Sequence, residues 1–330
     1  MYHVQIKAFV ICNLYMTVMP VILGPTACGK TAVAARLAFE INGEVISADS
    51  RQVYRGMDIG SGKDLDDYIV EGVSIPYHLI NIAEPGSEYN IFTYQKDFAV
   101  AFEDITARGK LPILCGGSGM YLEAVLKGYS LPEAPSDPGF ALRMSSLNDA
   151  SLLKELGRLK KLHSTTDTVD RSRMLRALEI EMRRRDTESS DATAGTSLIP
   201  HPASRILFGI KPGREIVRRR ITDRLQSRLS NGMIEEVRAL LEKGIPSARL
   251  RAYGLEYKFL TLYLEGEISN DEMFRLLNTA IHQFAKRQMT WFRRMERQGM
   301  KIHWIEGEMP SADKVKKIRS ILGKESDLRI

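Results

Sequence analysis

The stretch that decides the fold is Gly24-Pro25-Thr26-Ala27-Cys28-Gly29-Lys30-Thr31, which fits the pattern G-x-x-x-x-G-K-[ST] at every defined position. An apolar run at residues 18–23 precedes it and an alanine-rich run at residues 31–41 follows it, so we predict a strand, a phosphate loop and a helix. Unpaired backbone N–H groups and the helix dipole favour an anion at such a turn. Glycine-rich turns also connect strands to helices without a ligand, but the full match favours a ligand with two or more phosphates.

Two side chains of this loop carry specific expectations. Lys30 adds a positive charge, and the Thr31 hydroxyl is the group that contacts Mg²⁺ in loops of this pattern. The pattern is typical of nucleotide-binding and ATP-binding proteins. We therefore expect a polyphosphate ligand with Mg²⁺ as cofactor.

The composition is that of an ordinary globular chain. Its 330 residues suffice for two domains or for one domain with a large insertion, and 44% are apolar and 27% charged. The net charge of +6 is modest, and the basic excess, mostly arginine, lies in the second half. Three cysteines at unrelated spacings predict neither a disulfide framework nor a zinc site, which favours a reducing compartment, the cytoplasm.

The first residues resemble a membrane span or a signal peptide only superficially. Lys7, Asn13 and Pro20 interrupt the apolar run, and its end is needed as the strand that leads into the phosphate loop. We expect no membrane association, and we predict that residues 1–17 are an N-terminal extension.

Polar residues follow two further predicted strands. Asp49-Ser50-Arg51-Gln52 comes after an apolar strand at residues 44–48, and Gly116-Gly117-Ser118 comes after one at residues 111–115. In an open parallel sheet such residues gather beyond the carboxyl ends of the strands, so we expect Asp49 and Ser118 beside the phosphate loop. Alternatively, the Asp-Ser pair only caps a turn, and the glycines only connect two elements.

A change of composition marks a boundary within the chain. Three prolines lie within residues 130–138, and residues 139–185 have a helical pattern rich in leucine and arginine. We predict an α/β core formed by residues 18–130 and 200–330, with basic helices toward its end. Residues 131–199 are predicted to be a helical insertion, with a polar loop at residues 186–198.

Two arginine-rich helices are predicted in the second half. Arg220, Arg224 and Arg228 share one face of a helix that begins at Arg214, where the default interpretation is a solvated stripe beside an apolar one. In the second helix, residues 286–293 interleave cations with aromatic side chains. This pattern suits phosphate contacts and base stacking, but a helix with an inward aromatic face would have it too.

Together these segments resemble the tRNA dimethylallyltransferase (isopentenyl-tRNA transferase) family over about residues 18–306. The resemblance rests on the phosphate loop and on residues 46–60, Ile-Ser-Ala-Asp-Ser-Arg-Gln-Val-Tyr-Arg-Gly-Met-Asp-Ile-Gly, which are far more specific. Residues 116–121, 173–179 and 286–291 and Gly254 also match. The family's fold is a parallel sheet like that of P-loop NTPases, flanked by helices, with a helical insertion domain.

The resemblance implies a reaction and its substrates. A dimethylallyl group would pass from dimethylallyl diphosphate to N6 of the adenosine beside the anticodon, position 37, in tRNAs that read codons beginning with U. The products would be N6-dimethylallyladenosine and diphosphate. The phosphate loop would then hold the diphosphate, and the anticodon stem-loop would be the partner of a monomeric enzyme. The adenine would leave its stack to reach the site.

The resemblance also implies roles for individual residues. Asp49 aligns with the family's catalytic aspartate, and Ser118 aligns with a hydroxyl that positions the acceptor. Arg224 aligns with a diphosphate-binding arginine, so we no longer expect it to belong to a solvated stripe. Together with Arg224, the whole loop from Gly24 to Thr31 would bind diphosphate: Gly24, Pro25, Thr26, Ala27, Cys28, Gly29, Lys30 and Thr31. The implied tRNA contacts are Asp49, Ser50, Arg51, Gln52, Ser118, Arg143, Ser172, Arg173, Arg176, Arg251, Gly254, Lys286, Arg287, Gln288, Thr290 and Arg293.

Several positions depart from the family pattern, and residues 61–68, Ser-Gly-Lys-Asp-Leu-Asp-Asp-Tyr, replace the more usual Thr-Ala-Lys-Pro. Cys28 stands where serine is common, and a thiol at a helix N-terminus predicts activity that is sensitive to oxidation. Ser118 replaces threonine, so we expect retained activity with looser positioning of the acceptor. Ser172 stands where glutamine is common, which puts that tRNA contact in doubt.

Other functions fit parts of the same pattern. An ATP-dependent kinase of a nucleoside or small metabolite would also use a phosphate loop, Mg²⁺ and a nearby aspartate, but it leaves the insertion and the arginines without a role. A non-catalytic nucleic-acid-binding protein would not need Lys30, Thr31 and Asp49 together. A free-AMP acceptor is a further possibility within the family, and the insertion and the basic helix favour tRNA instead.

Overall fold

The structure, a computed structural model, describes residues 18–128, 137–159, 171–188 and 204–325. The extension predicted for residues 1–17 lies outside them. Of the loop predicted at residues 186–198, residues 186–188 continue a helix and the others also lie outside. The chain divides into two compact units, the first formed by Met1–Gly128 and Ile199–Ile330 and the second by Tyr129–Leu198.

The first unit is built on one parallel sheet. Its strands run in the order β5-β2-β6-β1-β7-β8, and every neighbouring pair is parallel. A short antiparallel hairpin, β3-β4, stands apart from it. The strands are β1 (Val18–Leu23), β2 (Gly43–Ala48), β3 (Ile69–Val70), β4 (Val73–Ser74), β5 (Tyr77–His78), β6 (Leu111–Gly116), β7 (Ser204–Lys211) and β8 (Ile302–Glu306). The predicted parallel sheet flanked by helices is confirmed.

Helices follow most of these strands. A 3₁₀ turn, Leu65–Tyr68, precedes the hairpin. The α-helices are α1 (Lys30–Ile41), α2 (Ile91–Ala107), α3 (Gly119–Lys127), α4 (Pro138–Arg143), α5 (Asp149–Leu159), α6 (Arg171–Glu188), α7 (Arg214–Ser230), α8 (Met233–Glu242), α9 (Ser247–Ala252), α10 (Leu255–Leu264), α11 (Asn270–Arg297) and α12 (Ser311–Glu325).

The register of the sheet brings three loops to one level. Leu23 of β1 and Ala48 of β2 both pair with Gly116 of β6, and each of these residues is the last of its strand. The next residues along the chain, Gly24, Asp49 and Gly117, therefore leave the sheet side by side. This is the edge at which open parallel sheets place their ligands.

Apolar clusters hold the sheet from both faces. On one face α1 and α12 contribute Leu37 and Ile318, and on the other α2 contributes Phe98. A third cluster joins α7 to α11. The second arginine-rich helix, which the sequence predicts over residues 271–297, is confirmed as α11. It buries residues three to four positions apart: Met273, Leu277, Ile281, Ala285, Gln288, Phe292 and Met295.

Two features differ from the sequence-based expectations. The sequence of residues 77–83 predicts a short strand, but β5 covers only Tyr77–His78, because Leu79 and Asn81 adopt left-handed backbone angles, with φ of 62° and 57°. The edge strand β8 and the helix α12 were not predicted. Within the described ranges, no helix combines the length and the apolarity that crossing a membrane requires.

The second unit contains α4, α5 and α6. Its core is formed by five buried residues: Phe140, Leu152, Leu156, Ala177 and Leu178. Arg171 joins two parts of the unit, since its guanidinium lies 2.7 Å from a carboxylate oxygen of Asp149 and donates to the Leu147 carbonyl at 2.7 Å. Arg171 thus joins the start of α6 to the start of α5 and to the segment before it.

Candidate active site

The phosphate loop has the backbone geometry that its glycines allow. Gly29 has φ of +78° and directly precedes α1, which begins at Lys30. A Cβ atom on Gly24 would lie 2.7 Å from the Cys28 sulfur and 2.8 Å from the Ile210 carbonyl oxygen. Only glycine therefore fits at residue 24, and the loop turns closely over the end of the sheet.

A buried glutamine from α11 ties the phosphate loop to the neighbouring turn. The Thr26 N–H donates to Gln288 Oε1 at 2.8 Å, and Gln288 Nε2 donates to the Gly117 carbonyl at 2.9 Å. Gln288 was implied as a tRNA contact, and here both ends of its amide bind the protein itself. It fixes the distance between two of the three loops.

Asp49 and Ser118 lie on adjoining turns that are bonded to each other. The Arg51 N–H donates to Asp49 Oδ1 at 3.0 Å, which orients the carboxylate. The Ser50 N–H donates to Ser118 Oγ at 3.3 Å, and the Ser118 N–H donates to the Ala48 carbonyl at 3.2 Å. The two turns therefore form one rigid edge.

One pocket, called here the inner pocket, joins the phosphate loop to this edge. It is lined by residues from the loop, from both turns and from α7 and α11, among them Thr26, Lys30, Thr31, Asp49, Arg51, Ser118, Arg224 and Gln288. The sequence placed Asp49 and Ser118 beside the phosphate loop, and the structure has them there. A phosphate-binding turn and an oriented carboxylate thus face the same space.

Arg224 is a half-buried cation at the phosphate loop. Its guanidinium donates to the Thr26 hydroxyl and lies 3.8 Å from a carboxylate oxygen of Asp64. Burial, with a smaller contribution from the positive charge of Arg228, lowers the pKa of Arg224 to about 10. It therefore remains protonated at neutral pH, and an anion in the loop would relieve the cost of burying it.

The expectation that Arg228 lies on a solvent-exposed stripe of its helix is wrong. Its side chain is 12% exposed, and Nη2 lies 3.0 Å and 3.2 Å from the two carboxylate oxygens of Asp64. It lines the inner pocket because α7 turns this face toward the loop that contains Gly62 and Asp64. Arg220, on the same face, is exposed as expected.

Arg51 and Gln52 are both bound within the protein. Arg51 Nη1 lies 2.7 Å from a carboxylate oxygen of the buried Glu256, and its guanidinium carbon lies 4.8 Å from the centre of the Phe284 ring. Gln52 Nε2 donates to the Gly62 carbonyl at 3.0 Å, and its Oε1 accepts from the Ser47 hydroxyl at 3.1 Å. Both side chains also line the inner pocket.

Other residues implied as tRNA contacts lie on the C-terminal helices. Gly254 has φ of +148°, and a Cβ atom there would lie 2.9 Å from Nε of Arg51. Arg251 forms ion pairs with Glu265 and Glu267. Four residues of α11 are exposed side by side: Lys286, Arg287, Thr290 and Arg293.

The second unit contains the remaining implied contacts. The exposed Arg143 lies 2.5 Å from a carboxylate oxygen of Asp137, and Arg176 lies 2.7 Å from one of the buried Glu179. The side chains of Ser172 and Arg173 lie outside the described part of the chain.

Sequence reasoning missed a glutamate that shapes the loop carrying the most specific match. Glu236 Oε2 accepts from the N–H groups of Asp58 and Ile59 at 2.7 Å each. Its Oε1 accepts from the Gly60 N–H at 3.0 Å and from the Tyr257 hydroxyl at 2.8 Å. The Met-Asp-Ile-Gly sequence is thus a turn whose amides surround one carboxylate. The nearest sequence signal, an acidic first turn on α8, does not identify that partner.

The burial of Cys28 does not favour the oxidation-sensitive activity that the sequence predicts for it. Cys28 and Cys115 are both buried, at 0% and 4% exposure. Burial also raises the pKa of the Cys115 thiol to about 12. Reactive cysteines are at least partly exposed, so Cys28 packs as a small apolar residue beneath the loop.

The metal-binding groups of the inner pocket suit Mg²⁺, which needs few protein ligands, better than a metal that is bound by protein side chains alone. The Thr31 hydroxyl lines the inner pocket together with Asp64. The described residues contain no group of three or more His, Cys, Asp or Glu side chains that could hold a metal ion. An ion beside Thr31 would take most of its ligands from phosphate oxygens and water, which is how Mg²⁺ is commonly bound.

The chain is similar to known proteins over most of its length. The profile of the family described as IPP transferase matches residues 52–295, and one described as isopentenyl transferase matches residues 17–76. The chain is 51% identical to tRNA dimethylallyltransferase 2 of Bacteroides fragilis, over 91% of this chain and 96% of the relative. It is 49% identical to tRNA dimethylallyltransferase 1 of Geotalea uraniireducens, over 94% and 97%.

Solved structures show the same architecture. The tRNA isopentenylpyrophosphate transferase of Bacillus halodurans superposes with a TM-score of 0.66 at 28% identity, over 94% of this chain and 97% of that one. A eukaryotic dimethylallyltransferase acting on tRNA has a TM-score of 0.73 at 22% identity, over 94% and 79%, and shows the likeness of fold. The profile match over more than half of the chain, with relatives about half identical along nearly its whole length, shows that the chain belongs to the IPP transferase family.

Proposed function

We propose that this protein transfers a dimethylallyl group from dimethylallyl diphosphate to N6 of adenosine 37, beside the anticodon, in tRNAs that read codons beginning with U. The observation that carries the proposal is the inner pocket, in which the phosphate loop and the Asp49 carboxylate face one space. The curated relatives reported above are named for transfer of this group to tRNA.

The phosphate loop would stabilise the leaving group. When the C–O bond of an allylic diphosphate breaks, negative charge grows on the phosphate oxygens. Backbone N–H groups at the start of α1, with Lys30 and Arg224, are positioned to meet that charge as it develops. Bound at Thr31, Mg²⁺ would supply further neutralisation of the diphosphate.

Asp49 would act as the general base. The lone pair of the adenine amine is delocalised into the ring, so the amine is a poor nucleophile until its proton is withdrawn. A carboxylate with one oxygen held by the Arg51 N–H accepts that proton in a fixed orientation. Help of this kind contributes about 10²–10⁴-fold to a rate. Ser118, bonded to the same turn, would position the acceptor base.

The tRNA would be held by cationic surfaces of both units. Exposed Lys286, Arg287 and Arg293 on α11 offer charges to phosphates, and the helical insertion at residues 131–199 would contribute Arg143. Residues such as Arg51 and Gln288, which are bound within the protein, would shape the acceptor pocket from inside. The enzyme would act as a monomer in the cytoplasm, where its acceptor is found.

The proposal is tested by incubating the protein with labelled dimethylallyl diphosphate, Mg²⁺ and unmodified tRNA, and then digesting the tRNA to nucleosides. We expect one labelled product, N6-dimethylallyladenosine, and diphosphate in equal amount. A parallel reaction supplies ATP and a nucleoside in place of these substrates. Phosphoryl transfer there, without prenylated tRNA in the first reaction, would establish the kinase alternative.

The rate of dimethylallyl transfer to free AMP is compared with the rate of transfer to tRNA. Transfer to AMP at a rate equal to that with tRNA would contradict the assignment of tRNA as the substrate. A tRNA in which guanosine replaces the adenosine beside the anticodon is the matched control, and we expect no label in it.

A further inference from the structure

A second pocket, called here the outer pocket, is also lined by the phosphate loop. It shares Lys30, Thr31, Asp64 and Arg224 with the inner pocket. Its other wall comes from α12 and the segment before it, residues 307–311 and Lys314. The phosphate loop is thus a wall that the two pockets have in common.

Lys314 is a buried cation in this wall. The residue is 5% exposed, and within the described ranges no hydrogen bond, and no ion pair within 4.0 Å, involves its ammonium group. Lysines whose side chains are this largely buried without a partner are rare, and this one lines the outer pocket. Burial, and then the positive charge of Arg220, lowers the pKa of Lys314. A bound anion would supply the partner that the ammonium lacks.

The carboxylates of the outer pocket already have other partners or lie at its edge, so none of them is the partner of Lys314. Asp64 is paired with Arg228, and Glu308 accepts a hydrogen bond from the Gly213 N–H at 2.5 Å. Asp67 is half-buried, and its pKa is raised by burial and by Asp64, so it competes less for a cation. Asp223 is exposed at the rim. Lys314 is thus the cation in this wall that has no acceptor.

We propose that Lys314, with Arg220 at the rim, forms an outer phosphate subsite that holds the distal phosphate of a chain whose inner phosphate lies in the phosphate loop. The inference rests on the proposed function in taking a prenyl diphosphate as the physiological ligand. The phosphate that occupies the subsite can come from two sources, namely the terminal phosphate of a diphosphate or the third phosphate of a longer chain. The N-terminus of α12, at Ser311, opens on the same space and favours an anion.

The test measures binding of inorganic diphosphate and inorganic triphosphate by calorimetry in the presence of Mg²⁺, without tRNA or prenyl transfer. Wild type is compared with Lys314→Met, which keeps the apolar stem, and with Lys314→Arg, which keeps the charge. Lys317→Met is the matched control, because Lys317 is an exposed lysine on the same helix. We expect Lys314→Met to weaken binding about tenfold, as a lost charged hydrogen bond does, and Lys317→Met to leave it unchanged.

The two ligands distinguish the sources. If Lys314→Met weakens the binding of both ligands, the diphosphate itself reaches the subsite. If it weakens only the binding of triphosphate, the subsite takes a third phosphate. Equal binding of both ligands by wild type and Lys314→Met would overturn the inference, even in a protein that prenylates tRNA. Dependence on Lys314 in a protein that does not prenylate tRNA would contradict the proposed function alone.

A second measurement needs no variant at this position. Amine acetylation of the wild type is quantified at Lys314 and at Lys317 by mass spectrometry, with and without triphosphate. We expect triphosphate to protect Lys314 at least several-fold and to leave Lys317 unchanged. Equal acetylation of Lys314 under both conditions would overturn the inference.

Discussion

At the scale of single residues, the site depends on side chains that bind two partners at once. Gln288 bonds to the phosphate loop with one end of its amide and to the Gly117 turn with the other. Asp49 is oriented by the main chain two residues later. These contacts fix the spacing between the anion and the base before any substrate arrives, which is the arrangement that catalysis requires.

Replacing Gln288 should therefore impair the reaction without removing a charge from the site. We expect Gln288→Ala to raise KM for dimethylallyl diphosphate about tenfold, because the Thr26 N–H loses its acceptor and the loop is released. Steady-state kinetics at saturating tRNA measure this. Gln283→Ala, at an exposed position of the same helix, is the matched control and should behave as wild type. Identical KM values for both variants would contradict the role given to Gln288.

At the scale of elements, loops that look irregular in sequence are held by partners far along the chain. The turn at residues 57–60 is organised by Glu236, which comes from α8. Lys63 closes the same loop, since its buried ammonium lies 2.7 Å from Asp58 Oδ1 and donates to Asn81 Oδ1 at 2.6 Å. The loop beside the active site is thus a fixed structure.

Glu236→Ala should loosen this loop and destabilise the protein. Three main-chain N–H groups and the Tyr257 hydroxyl would lose one charged acceptor, which we expect to lower the free energy of unfolding by about 3 kcal/mol. Urea unfolding measures the difference. Glu235→Ala is the matched control: that side chain is 64% exposed and lies 3.8 Å from Arg238, so its loss should cost about 0.5 kcal/mol or less. A similar loss for both variants would refute the assignment.

At the opposite end of the sheet, a buried carboxylate at the start of β2 should make stability depend on pH. Glu44 lies 2.7 Å from the His78 ring and accepts from Arg108, whose hydrogen bond is the main cause of a lowered Glu44 pKa. The stabilisation is complete above the ordinary value of 4.5 and is lost as the pH falls through the lower folded value.

Glu44→Gln removes that dependence. We expect the variant to be less stable than wild type at pH 7, and we expect the difference to shrink as the pH is lowered from 4.5 toward 3. Urea unfolding of both proteins across this range measures it. Asp104→Asn is the control, because this exposed carboxylate binds the same arginine. A difference between wild type and Glu44→Gln that is constant with pH would refute the account.

At the scale of the whole molecule, part of the site could be predicted from the sequence because it follows local rules. The phosphate loop is recognised from its own eight residues, and parallel strands end at one edge of a sheet, so Asp49 and Ser118 could be placed beside it. Gln288 and Glu256 could not be placed, because their partners lie 262 and 205 residues away and nothing local names them. The helix α12 was not predicted, and nothing local to it indicates the pocket that Ser311 and Lys314 line.

The measurement that tests the central claim most directly is single-turnover transfer from dimethylallyl diphosphate to tRNA by Asp49→Asn, paired with its equilibrium binding of the diphosphate. Asparagine keeps the size of the side chain but cannot accept the proton as a carboxylate does. We predict that transfer slows by about 10²–10⁴-fold while diphosphate binding, which depends on the loop at residues 24–31, is unchanged. Transfer by Asp49→Asn at the wild-type rate would contradict the claim that this carboxylate and the phosphate loop act together on one reaction.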